Sequence, residues 1–318
     1  MYYSEAEARQ LVVEAGHRLL ENGLIARTWG NISARISDTH FVITPSGLAY
    51  ETMKPEQLVK VAIADGSFEG TQKPSSEKGI HASVYRLQPE TGFVIHTHQT
   101  YASCVGVAGK NLTGQNNSIL GDVIPCGDYG MPSTKKLCRA VTAAVAQHPG
   151  CRAVLMMRHG ALCMGADREQ AFRVAEELEK VCRAIYDRAV AISEVPTRCT
   201  PTDGAVLLEN SAAVLAVAAQ GRTMRPYLDD LAQIGGTTIR CTADWQRGLS
   251  GRNAVMVPGV GAYCTGEDAE AVAMILKKGA MAELYAQAVG GCKPLSRLDA
   301  ALMRQVYLRK YSKRRANG

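Results

Sequence analysis

Gly92-Phe93-Val94-Ile95-His96-Thr97-His98 reads as a short buried strand ending in two imidazoles. Side chains alternate across a strand, so His96 and His98 project from one face, as a chelating pair must. A bare His-x-His occurs in cores and on surfaces alike, and its setting decides its meaning. A carboxylate precedes it in Ser75-Ser76-Glu77, and a third imidazole follows in Arg158-His159-Gly160. Three imidazoles and one carboxylate suit a borderline divalent cation, zinc first and Mn2+, Fe2+ or Co2+ as alternatives. Neutral imidazoles and one carboxylate leave such a cation with net positive charge, still a Lewis acid for a carbonyl or hydroxyl oxygen.

The surroundings of these residues add an anion pocket. Glu77 starts a helix, and His81 lies one turn on along the same face, a supporting imidazole rather than a fourth nitrogen ligand. As a first-turn acid Glu77 complements the helix dipole; beside His-x-His it becomes a metal ligand and proton carrier. Three small-residue turns, Gly30-Asn31, Ser46-Gly47 and Ser75-Ser76, offer backbone N–H, hydroxyl and amide donors. The last sits at a helix N-terminus, which favours phosphate or carboxylate. Together they predict an anionic small-molecule substrate.

Around this centre the chain alternates helical and strand patterns. Ser4-Glu-Ala-Glu7 is a capping box ahead of a helix that Gly23 can close. Strands are expected near Phe41–Thr44, Val59–Ala64, Asp122–Cys126 and Arg152–Met157, and helices after Ser76, after Thr100, over Thr134–Gln147 and over Asp167–Val190. Ser193–Gly204, rich in Pro, Ser and Thr, reads as a linker. Beyond it the chain partly repeats itself: Ala153-Val-Leu-Met-Met-Arg-His159-Gly-Ala-Leu-Cys-Met-Gly165 matches Ala254-Val-Met-Val-Pro-Gly-Val260-Gly-Ala-Tyr-Cys-Thr-Gly266. The expectation is a catalytic α/β domain over 1–195 and a degenerate partial copy over 205–318, in which Val260 stands where His159 does.

Composition excludes several classes. The 318 residues are 46% hydrophobic and 21% charged, ordinary for a water-soluble fold. With net charge +6, two Trp and four Phe, neither a strong basic field nor a base-stacking surface is present, and nucleic acid is not an expected partner. The basic residues Arg309, Lys310, Lys313, Arg314 and Arg315 read as a solvated end. Ten scattered cysteines without Cys-x-x-Cys suit a reducing cytosol, and no secretory signal or long apolar run is evident, so a cytoplasmic, non-membrane protein is expected. All seven histidines lie at or before position 159, so imidazole chemistry belongs to the first half.

In this order, Thr28-x-Gly30-Asn31-x-Ser33, Thr44-Pro45-Ser46-Gly47, Pro74-Ser75-Ser76-Glu77, His96-x-His98 and His159-Gly160 resemble the class II aldolase/adducin family, over about residues 4–190. The resemblance implies an α/β/α layered fold with a mostly antiparallel central sheet. It implies a divalent metal, usually zinc, held by His96, His98, His159 and Glu77, with Glu77 also moving protons. Asn31, Ser46, Gly47, Ser75 and Ser76 would hold phosphate or an equivalent anion. Homo-oligomers are implied too, commonly four-fold tetramers with sites between subunits, or here a dimer if the second half takes a neighbour's place.

Two departures stand out. Where sugar-phosphate aldolases of the family carry an acid tyrosine donated by a neighbouring subunit, this chain reads Gln115-Asn116-Asn117-Ser118. The C-terminal extension is also foreign to the simple aldolases, and within it Arg225-Pro-Tyr227-Leu-Asp229-Asp230 precedes the repeated segment. Tyr227, with Asp229 or Asp230, is the candidate replacement. The expected reaction is aldol-type cleavage of a phosphorylated or otherwise anionic keto substrate through a metal-stabilised enediolate. Decarboxylation, dehydration or epimerisation use the same site chemistry, and fold does not choose among them. A zinc hydrolase and a non-catalytic adducin-like module are the readings from other classes.

Overall fold

The computed structural model describes residues 2–25, 29–192, 200–201, 206–266 and 268–315. The expected linker falls almost wholly on residues outside this set, as does Thr28. The chain divides into two compact units, Met1–Arg183 and Ala184–Gly318.

The first unit contains helices α1 (Glu5–Glu21), α2 (Lys78–Leu87), α3 (Thr100–Gly106), α4 (Lys135–Gln147) and most of α5 (Arg168–Ala189). Its strands are β1 (Asn31–Arg35), β2 (His40–Ile43), β3 (Val59–Ala62), β4 (Phe93–Thr97), β5 (Cys126–Gly127), β6 (Ala153–Met156) and β7 (Gly160–Gly165). Among the described residues they form one sheet of order β3-β2-β1-β4-β7-β6-β5, antiparallel at every step except β5–β6. The mostly antiparallel sheet matches the sequence reading. The strand expected over Asp122–Cys126 is short and displaced to Cys126–Gly127, because Ile124 instead bridges to Leu112.

Helices cover both faces, which is why β1, β4, β6 and β7 are buried along their whole length rather than alternating with polar residues. On one face Ile80, Val84 and Tyr85 of α2 and Leu137, Val141 and Val145 of α4 pack on Phe41, Val61, Val94, Val154, Leu162 and Met164. Ser4 accepts the Glu7 N–H at 3.2 Å to start α1, and Thr134 accepts the Leu137 N–H at 3.3 Å to start α4.

The second unit is a smaller, related α/β pseudo-domain. It comprises β8 (Thr200–Pro201), β9 (Val206–Glu209), α6 (Ala212–Ala219), α7 (Asp229–Gly235), β10 (Arg240–Cys241), α8 (Trp245–Leu249), β11 (Ala254–Val257), β12 (Gly261–Thr265), α9 (Ala269–Val289) and α10 (Arg297–Arg315). Its sheet order, β10-β11-β12-β9-β8, repeats β5-β6-β7-β4-β1 with the same strand directions. The register repeats as well: Met156 faces Gly160 as Val257 faces Gly261, and Cys126 faces Leu155 as Cys241 faces Met256. By the same pairing Leu208 occupies the place of His96, since Leu208 faces Tyr263 as His96 faces Leu162. Among the described residues no helix is long and apolar enough to cross a membrane.

Gly160 fixes the hairpin that delivers His159. A Cβ there would collide with the Thr97 carbonyl on β4, so only glycine lets β7 close on that strand. Gly160→Ala is expected to cost about 2 kcal/mol, the usual order for forced overpacking. The check is a urea unfolding midpoint, which should fall while the slope stays constant.

Candidate metal centre and proton site

The register of β4 builds the centre. Val94 packs in the α2/α4 core, so by strand alternation His96 and His98 project toward the same helices. Asn31 on β1 faces His96, and Thr97 faces Ala161 on β7, which brings the β6–β7 turn alongside the end of β4. That turn, Met157-Arg158-His159, is closed by the His159 N–H donating to the Met156 carbonyl at 2.9 Å. The three rings form a nearly equilateral triangle, with centroids 4.9 Å apart for His96–His98 and 4.7 Å for each ring to His159. One nitrogen from each lies within 4.8 Å of the others, and all three residues are buried.

Glu77, at the start of α2, closes the open side. Its Oε2 is 3.3 Å from His96 Nδ1 and its Oε1 is 3.4 Å from His159 Nε2. Asn31 Nδ2 donates to Oε2 at 3.0 Å, and the Ser133 N–H donates to Oε1 at 3.4 Å. Burial opposes the charge on Glu77, yet His96, His159 and the Asn31 amide together hold its carboxyl well below the usual carboxylate range. Burial pushes His96 down to about 3, against the pull of Glu77, so His96 is neutral and a potential ligand at neutral pH.

The donor set fits a divalent cation. His96 is fully buried, yet neither of its ring nitrogens makes a hydrogen bond. An imidazole in that position is costly unless something else takes its lone pair. A nitrogen-rich set with one adjoining carboxylate is the chemistry that zinc and its neighbours prefer.

Behind Glu77 runs a fully buried chain of polar groups. Asn31 turns its NH2 to Glu77, so its Oδ1 faces His81 Nε2 at 2.5 Å and must accept that N–H. His81 Nδ1 is then the bare nitrogen and accepts Ser33 Oγ–H at 2.7 Å, and Ser33 Oγ in turn accepts the Tyr85 hydroxyl at 2.7 Å. Every proton in the chain is assigned, and His81 must be neutral.

The expected anion turns lie together beside Glu77. The Ser46 N–H bonds the Lys73 carbonyl at 2.9 Å and the Ser75 N–H bonds the Thr44 carbonyl at 3.0 Å, pinning the two turns side by side. Ser46, Gly47 and Ser76 are exposed, while Ser75 is buried and its Oγ accepts the Glu77 N–H at 3.2 Å. The side chain of Asn31 is engaged with Glu77 and His81 rather than with this turn pair. Tyr227 is half-buried in the second unit, where Asp229 and Asp230 are buried at the start of α7 and Asp230 pairs with Lys278.

Sequence reasoning missed the 128–134 loop and Trp29. Ser133 adopts a left-handed backbone (φ 65°) to aim its N–H at Glu77, and its Oγ bonds Ser76 Oγ at 2.7 Å. The indole of Trp29 lies 5.9 Å from the His98 ring. The Pro132-Ser133 turn was visible in the chain, but its link to Glu77 is long-range and left no local signal.

Burial lowers His81 to about 4, and Glu77 only partly counters this. An unfolded imidazole titrates near 6.5, so the unfolded chain takes up a proton first as pH falls. The stability that depends on neutral His81 is complete above about pH 6.5 and falls steadily towards pH 4, by roughly 3 kcal/mol in all. His81→Gln is expected to flatten that part of the decline, read from urea unfolding between pH 7 and 4.

Residues 10–186 match the family described as Class II Aldolase and Adducin N-terminal domain. The 5-deoxy-D-ribulose 1-phosphate aldolase of Bacillus thuringiensis serovar kurstaki is 34% identical over 189 residues, covering 58% of this chain and 87% of that protein. Among solved structures, an L-fuculose 1-phosphate aldolase is 30% identical with a TM-score of 0.53, covering 59% of this chain and 88% of the other. YgbL from Klebsiella pneumoniae, described as a putative aldolase/epimerase/decarboxylase, is 25% identical with a TM-score of 0.52, covering 58% and 91%. With the imidazole triad and Glu77 set as described, the matched segment places the chain in the class II aldolase/adducin family.

Proposed function

We propose that the first unit is a divalent-cation-dependent lyase that splits a carbon–carbon bond of a phosphorylated ketose and releases an aldehyde. The observation that carries this is the buried, ionised Glu77 standing against His96 and His159 at the edge of a three-imidazole cluster. Phosphate as the substrate's anion is supported by the relatives named for sugar-phosphate cleavage and by the paired turns at Ser46-Gly47 and Ser75-Ser76.

His96, His98 and His159 would hold the cation, zinc before Mn2+, Fe2+ or Co2+, with Glu77 adjoining. When bound, it supplies Lewis acidity for the negative charge that develops on substrate oxygens as the bond breaks. Glu77 carries the proton of the donor fragment. Its Oε2 is fixed by Asn31, so Oε1, with only long contacts to the Ser133 N–H and His159 Nε2, is the oxygen left to accept and return that proton. Ser75, Ser76, Ser46 and Gly47 would orient the phosphate, which places the scissile bond without taking part in its cleavage.

The reading extends to Tyr227 as the group that exchanges the proton on the departing aldehyde's oxygen. Its support is that Gln115–Ser118 offers no phenol and that the second unit repeats the elements of the first. Asp230 is a weaker candidate for this role, since its carboxylate is already paired with Lys278.

Incubation with ketose 1-phosphates, followed by mass spectrometry, should show aldehyde and a phosphorylated three-carbon product without addition of water. Glu77→Gln is expected to lower turnover by about 10³-fold, the scale of a lost general base. Purified protein should hold about one divalent ion per chain, and His96→Ala should hold none. Protein that takes up no metal and cleaves no ketose phosphate would refute the lyase. Tyr227→Phe with unchanged turnover would remove only Tyr227 from the scheme.

A further inference from the structure

Arg158 stands between Met157 and His159 with a left-handed backbone, φ 66°. Glycine or asparagine adopts that conformation with little strain, and a long side chain does so at a steric cost. The second unit supplies an internal control. It builds the same hairpin in the same register, and the equivalent turn position is Gly259, φ 73°. Where the hairpin carries no imidazole the turn is made with glycine; where it carries His159 the turn is made with arginine.

The side chain is therefore the reason for the residue, and its surroundings say what it does. The Nε of Arg158 is buried and makes no hydrogen bond. Its guanidinium carbon lies 5.4 Å from the centre of the Tyr129 ring, and Lys136 Nζ lies 5.7 Å from the same ring. The ring quadrupole holds both cations. Among the described residues neither forms an ion pair, and exposed Asp128, next to Tyr129, bridges to neither. Two cations gathered on one ring without a counter-charge repel each other, and an incoming anion relieves that repulsion. The place is beside the metal centre, because Arg158 adjoins His159 and the Tyr129 loop runs on to Ser133, which donates to Glu77.

We propose that Arg158, Lys136 and Tyr129 form a second anion-binding subsite that selects substrates whose departing aldehyde half carries a carboxylate or phosphate. Guanidinium and ammonium donors around an aromatic floor suit such a group, with Arg158 presenting paired N–H bonds. Its role in selection rests on the lyase reading; its capacity to bind an anion rests on the geometry alone.

Arg158→Asn and Arg158→Gly suit the backbone angle, so both should unfold at the same temperature as the parent or higher. Inorganic phosphate titrated calorimetrically into the metal-loaded full chain should show one binding event weakened at least about ten-fold in either variant and in Lys136→Gln, the order expected for a lost charged bond. Unchanged phosphate binding in both Arg158 variants would overturn the subsite. In the condensing direction, with dihydroxyacetone phosphate as donor, the parent should prefer succinic semialdehyde over butanal, and Arg158→Asn should erase that preference at least about ten-fold. An equal fall for both aldehydes would make Arg158 a mere support for His159 and would also overturn it. Weakened phosphate binding without any condensation would leave the subsite standing and sink the lyase reading instead.

Discussion

The position of β4 between β1 and β7 is the constraint on which the site depends. In this register Asn31 faces His96 and Leu162 faces it from the other side. A slip of one residue would turn both imidazoles to the opposite face and separate them from Glu77. The slip is blocked from two directions. Gly160 admits the Thr97 carbonyl only where it now lies, and Val94 and Phe93 are each fully buried on their own side of the sheet. The geometry of the imidazole cluster in this class II aldolase-like enzyme is thus inherited from ordinary packing, and these side chains need no separate scaffold.

Electrostatics then decides what the packed site can hold. A carboxylate as buried as Glu77 costs several kcal/mol to ionise unless donors and positive potential surround it. Asn31 supplies one strong N–H and Ser133 a weaker one. His96 beside it is held neutral by the same burial, so it offers a lone pair rather than a compensating charge. What remains is an anion and three nitrogen donors converging on one point, an arrangement that a divalent cation completes. The His81–Asn31 link matters here because it holds the Asn31 amide in the orientation that faces Glu77. The Glu77 carboxylate can only accept, so the Asn31 NH2 faces it, and that orientation sets the His81 tautomer and then the Ser33 and Tyr85 hydroxyls. Asn31 cannot flip without stranding a buried carbonyl or N–H.

Much of this is legible in the amino-acid sequence itself. His96 and His98 could be placed on one face because strand alternation is rigid, and Glu77 could be placed at a helix start because Ile80, Val84 and Leu87 follow it at helical spacing. The repeated segment foretold the second sheet. What could not be read was set by contacts between residues far apart. Asn31 looked like an anion donor because it sits in a glycine turn; its partner His81 lies fifty residues away, and only the fold brings them together. Ser133 and Tyr129 escaped for the same reason. The strand expected over Asp122–Cys126 had the right apolar pattern, but pairing of Ile124 with Leu112 claimed its first half.

The two units separate what the fold requires from what the chemistry requires. Strand order, direction and register survive in the second unit, and so does the glycine that opens the second strand of the hairpin, Gly261 matching Gly160. Each imidazole position traced into it carries an aliphatic side chain: half-buried Leu208 for His96 and exposed Val260 for His159. Packing positions tolerate only small changes in volume, so they persist, whereas a lone ligand contributes nothing to stability once its partners are gone. The converse applies to the first unit. Where a residue there departs from the choice that packing and backbone geometry favour, as Arg158 does beside Gly259, the departure marks a position held for chemistry rather than for the fold.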